Sequence, residues 1–105
     1  MDITRIDTLK QWLKERPEDP LIRHALAMEY ARIGDVSMAL GYWQELRNEK
    51  ADYLPLYYPA AKLALENDYA LLSRELLEAG IRIAREQKDK KTEAELVSLQ
   101  QEFDE

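Results

Sequence analysis

Residues 19–46 read DPLIRHALAMEYARIGDVSMALGYWQEL, and residues 53–80 read YLPLYYPAAKLALENDYALLSRELLEAG. Shifted by 34 residues, the two stretches agree in where they place small residues, large residues and breaks. Ala27 falls on Ala61, Ala39 on Ser73, Trp43 on Leu77, and Gly34 on Asp68. On either side of each break apolar residues recur at helical spacing, and no stretch of the chain keeps a period of two for long. The pattern is a helix, a turn and a second helix, written twice. Alanine, serine and glycine at the seams let two helices approach closely, while Tyr30, Trp43 and Leu77 fill the gaps beside them. A glycine in mid-helix costs about 1 kcal/mol against alanine, so Gly80 predicts a position with no room for a methyl group.

Working outward, the same signals organise the rest. A first helix is expected from about Thr4 to Glu15, with Thr4 and Asp7 as a capping box and a stripe of Ile6, Leu9, Trp12 and Leu13. Asp19 caps the second helix, with Pro20 at its first position, where a missing N–H costs nothing. Asp35 caps the third, which runs to about Asn48. Pro59 must not lie deep inside the fourth helix, because an interior proline costs about 3 kcal/mol. That helix is therefore expected to begin late, near Leu56 or Tyr57, or to be kinked. A fifth helix follows Asn67-Asp68 and closes near Gln87. The last begins between Asp89 and Thr92, with Thr92 and Glu95 as a second capping box and Leu96, Leu99 and Phe103 packed back on the fifth. Helices of similar length joined by turns this short lie antiparallel to their neighbours.

Composition excludes several classes. The 105 residues include 15 Lys+Arg against 21 Asp+Glu, a formal net charge of −6, which opposes nucleic acid or an anionic membrane surface. With no cysteine there is no disulfide, no thiolate metal site and no thiol nucleophile. The start of the chain lacks the basic-then-apolar pattern of a signal peptide, and no apolar run approaches the roughly 20 residues that span a bilayer. A cytoplasmic protein of a single domain is the expectation.

Thirty-four residues is the tetratricopeptide period, and its W-x2-L-G-x2-Y…A-x3-F pattern is met by Arg23-x2-Leu26-Ala27-x2-Tyr30…Ala39-x3-Trp43. The second copy reads Tyr57-x2-Ala60-Ala61-x2-Ala64…Ser73-x3-Leu77. With the Ala25–Tyr30 string, the Tyr57-Tyr58 pair and Gly80-Ile81, the chain resembles small bacterial tetratricopeptide repeat proteins. It departs from the pattern at Arg23, where tryptophan or leucine is usual, at Ala64, where tyrosine is, and at Asp68, where the turn glycine is. The resemblance implies an all-α superhelix of antiparallel hairpins: a half-repeat helix over 1–17, repeats over 19–50 and 53–87, and a capping helix over 89–105.

The inventory for catalysis is poor, so no enzyme, cofactor or metal is expected. His24 is the one histidine, the glutamates Glu75 and Glu78 belong to an exposed face, and no phosphate loop or nucleophile motif is present. Glu78, Arg82 and Glu86 read as a ladder supporting the fifth helix, and the Arg82–Lys91 run as cations favoured near a helix C-terminus. Binding is the better candidate. The resemblance implies that the first helix of each repeat faces a concave groove, which gives His24, Met28 and Arg32 in one repeat and Tyr58 and Lys62 in the next. Apolar residues beside two cations predict a protein or peptide partner whose segment carries a carboxylate. The alternative is self-association into a homodimer, with Val97 and Trp12 leaving an apolar edge exposed. The lysine/asparagine clamp of some family members is not expected, since His24 and Met28 stand at two of its positions.

Overall fold

Capping chemistry places the helix starts where the sequence marks them. In a computed structural model describing residues 3–104, with side chains described for 5–103, Asp19 Oδ1 accepts the Leu21 amide at 3.0 Å and Pro20 opens the helix behind it. Asp35 Oδ1 accepts the Met38 amide at 3.1 Å. Among the described residues there are six helices and no strand: α1 Ile3–Glu15, α2 Pro20–Arg32, α3 Val36–Glu49, α4 Tyr57–Glu66, α5 Ala70–Glu86 and α6 Lys90–Asp104. A single 3-10 turn, Leu54–Leu56, precedes α4. Pro59 is thus the third residue of its helix, where backbone N–H groups lack an intrahelical acceptor anyway, and the late start expected of α4 is what the proline dictates.

One box is corrected. Thr92 does not act with Glu95; its amide and hydroxyl both donate to Asp89, at 3.0 and 2.9 Å, and Asp89 is the residue that caps α6. The Thr4 side chain, invoked for the other box, lies outside the described residues.

The described residues form two compact units, one ending at Tyr53 and the other beginning at Leu54. In the first, α2 and α3 pack along Leu26, Ala27 and Tyr30 against Ala39, Trp43 and Leu46, all buried, while α1 lays Ile6 and Leu9 on α2. In the second, α4 and α5 meet along Ala60, Ala61 and Ala64 against Ser73, Leu76 and Leu77, and α6 covers α5 with Leu96 and Leu99. The seam residues Ala27, Ala39, Ala61 and Ser73 are fully enclosed. A Cβ built on Gly80 would lie 2.8 Å from Tyr57 Cβ and 3.0 Å from Leu96 Cδ1, so the missing methyl lets α5 touch α4 and α6 at one point.

The repeat extends to the backbone of the turns. Asp35 N donates to Tyr30 O at 2.9 Å, Tyr69 N to Ala64 O at 2.9 Å, and Asp89 N to Ala84 O at 2.9 Å. Each bond closes over a residue of left-handed backbone: Gly34 at φ 87°, Asp68 at 65° and Lys88 at 59°. Only the first is glycine, so the later turns carry the modest steric cost of a side chain there.

Candidate functional site

His24, Met28 and Arg32 recur every four residues, which aligns them along one side of α2. His24 is half-buried, and its environment is already satisfied. Trp43 Nε1–H donates to His24 Nδ1 at 3.1 Å, and the Tyr53 ring stands edge-on to the imidazole with centroids 5.7 Å apart. An acceptor Nδ1 places the proton of the neutral ring on Nε2. Burial pushes the imidazole below its ordinary value of 6.5, so His24 is neutral at physiological pH. Met28, by contrast, is 44% exposed. Arg32 is exposed but not a lone cation: it meets Glu29 at 3.2 Å, and the same carboxylate takes Arg5 at 3.2 Å.

Arg23 has a role the sequence did not disclose. Its side chain is only 12% exposed, and the guanidinium reaches Glu45 and Glu49 of α3, each at 3.1 Å, and the Pro17 carbonyl. A forked cation holding α3 and the loop before α2 takes over from the large apolar residue usual there.

In the second unit, Tyr58 lines a pocket of about 430 Å³. Leu54, Pro55, Tyr58 and Pro59 form its apolar wall, and Gln87, Asp89, Thr92 and Glu95 its polar wall. Lys62, one turn further along α4, is exposed and outside that lining. The apolar stripe of α6 marks it as a capping helix and does not by itself point to a polar wall at its start. The signal was nevertheless available: a further step of 34 carries Leu21 and Pro55 to Asp89, and His24 and Tyr58 to Thr92. Asp89 stays ionised well below neutral pH, since the Thr92 amide first, and then its hydroxyl, hydrogen-bond the carboxylate and hold it below the usual range.

A second hollow, about 540 Å³, lies among Glu78, Ile81, Arg82, Arg85, Glu86 and Gln100. Its charges are balanced locally, Arg82 with Glu86 at 3.9 Å and Arg85 with Glu93 at 2.7 Å, as expected of a solvated helical face. Among the described residues no His, Cys, Asp and Glu cluster could hold a metal ion, and no buried side-chain N or O atom lacks a partner. Nor is any described helix long and apolar enough to cross a membrane.

No protein-family model and no curated relative matches the chain. Solved structures do. The chain is similar to a tetratricopeptide repeat domain protein from Salinibacter ruber determined by solution NMR, at 33% identity and a TM-score of 0.77, over 83% of this chain and 88% of that one. A crystal structure of a tetratricopeptide repeat domain protein from the same organism matches at 32% identity and a TM-score of 0.77, over 83% of this chain and 97% of that one.

Proposed function

The chain belongs to the tetratricopeptide repeat family, and from that premise we propose that it holds a peptide or helix of another protein, the exposed face of α2 and that of α4 each serving within its own unit. At the coarser level it is a helical-repeat interaction module on a non-catalytic fold. The observation that carries the finer reading is the pocket beside Tyr58, where an aromatic ring and two prolines offer a rigid apolar wall next to polar groups. In the other unit, Met28, exposed on α2 with an adaptable side chain, is a separate contact of its own. His24, engaged with Trp43 and Tyr53, braces α2 in its own unit.

The test is an NMR titration of isotope-labelled protein with a pool of short amphipathic peptides. Resonances of Met28 and Tyr58 are expected to move first, and Tyr58→Ala to weaken the response several-fold. Shifts confined to the outer faces of α3 and α5 would reject the reading.

Self-association is favoured by one observation of its own. Leu71 and Tyr69, at the start of α5, are 78% and 49% exposed, an apolar pair with no cover. Sedimentation at several concentrations decides it, since a second copy burying Leu71 makes the average mass rise with concentration.

A further inference from the structure

The carboxylate-bearing ligand expected from the sequence rested on Arg32 and Lys62 as free cations facing one surface. Arg32 meets Glu29, which also binds Arg5, and Lys62 does not line the pocket in which Tyr58 stands. What that pocket presents is the opposite charge. We propose that the Tyr58 pocket selects a segment bearing an arginine or lysine next to an apolar residue, the cation meeting Glu95 and Asp89 and the apolar side chain lying on Pro55, Tyr58 and Pro59.

This deepens the peptide-binding reading and rests on it. None of the residues lining the pocket is Lys or Arg, whereas two carboxylates do line it. Lys88, Lys90 and Lys91 neighbour Asp89 in sequence but stay outside the lining, and Lys91 is the weakest of the influences on that carboxyl. Both oxygens of Asp89 are already hydrogen-bonded to Thr92, which holds the charge ionised and fixed in place. Glu95 is exposed and carries the adjustable contact. The tyrosine ring adds a face on which a guanidinium can stack. The surroundings act in the same sense: residues 54–105 hold seven Lys/Arg against eleven Asp/Glu, a net charge of −4 (7 − 11), which raises the local concentration of a basic segment.

The experiment titrates the labelled full chain with two capped heptapeptides, one of alternating leucine and arginine, the other of leucine and glutamate. The arginine peptide is expected to shift amides over 54–59 and 87–95, with affinity falling as salt is raised, and the glutamate peptide to leave them unmoved. Glu95→Gln, on an exposed position that cannot disturb folding, should weaken the arginine peptide roughly three- to fivefold. Glu95→Lys should transfer the preference to the glutamate peptide. Equal or stronger shifts from the glutamate peptide on the unaltered chain overturn the charge assignment while leaving peptide binding at Tyr58 intact. A pocket untouched by either peptide, or a preference indifferent to Glu95→Lys, overturns the proposal as well. Failure of the broader reading is recognised separately, by Met28 and Tyr58 ignoring the mixed peptide pool.

Discussion

Two glycines in helix interiors show how one hydrogen in place of a methyl acquires opposite meanings. Gly41 sits in α3, exposed, and a Cβ built there meets nothing within 4 Å. Only the backbone freedom of glycine is felt at that position, so Gly41→Ala should add about 0.5–1 kcal/mol and raise Tm by roughly 2–8 °C. Gly80 has the same intrinsic handicap, yet its methyl would be driven to 2.8 Å from the Cβ of Tyr57, a fully buried residue on the neighbouring helix. Overpacking costs about 1–3 kcal/mol, which exceeds the gain in helix propensity, so Gly80→Ala should lower Tm by roughly 4–8 °C. Thermal unfolding followed by circular dichroism measures both; a Gly80→Ala protein as stable as the parent would show that α4 and α6 can retreat from α5 without loss. The sequence rule that marks Gly80, a glycine in mid-helix, marks Gly41 equally; the two are separated by the structure, where only Gly80 faces neighbouring helices.

At the scale of an element, the α2–α3 pair depends on a hydrogen bond that only a neutral imidazole can accept. Trp43 is buried, its N–H bonds to Nδ1 of His24, and protonation of the ring removes that acceptor. Burial lowers the folded-state pKa below 6.5, so between that lowered value and 6.5 the unfolded chain binds more protons than the folded one. Stability is therefore flat above about pH 6.5 and falls as pH drops through the window beneath it. His24 is the only histidine, so urea unfolding between about pH 7.5 and 5.5 should show this slope, and His24→Gln should flatten it. A slope that persists in the variant would assign it to other groups. Helix starts, the late α4 and the antiparallel pairs were legible in the sequence because each follows from a local rule: a capping carboxylate, a proline, a small-residue seam. The hydrogen bond to His24 and the Arg23 fork onto Glu45 and Glu49 were not. They join residues distant along the chain through side-chain rotamers, which spacing alone does not encode.

For the whole molecule the open quantity is how stability is shared between the residues up to Tyr53 and those from Leu54 onward. A tetratricopeptide hairpin buries one face on its own partner helix and needs a neighbouring repeat for the other, so repeat arrays gain stability from nearest-neighbour terms as well as within each repeat. Units of about fifty residues stand close to the lower limit at which a core sustains itself. Both considerations predict one cooperative transition. The chain carries its own reporters for deciding this, because Trp12 and Trp43 both lie before Tyr53 whereas Gly80 lies after Leu54. Tryptophan fluorescence senses only the first unit, while far-ultraviolet circular dichroism senses every helix. In Gly80→Ala, whose added methyl presses on Tyr57 and Leu96, the denaturant midpoint seen by fluorescence should fall together with that seen by circular dichroism and by the same amount. A fluorescence midpoint fixed at the parent value, with the circular dichroism curve splitting in two, would mean that each unit folds alone. Destabilisation placed at one end of the chain would then go unfelt at α2, and the surfaces carrying Met28 and Tyr58 would act as separate recognition elements.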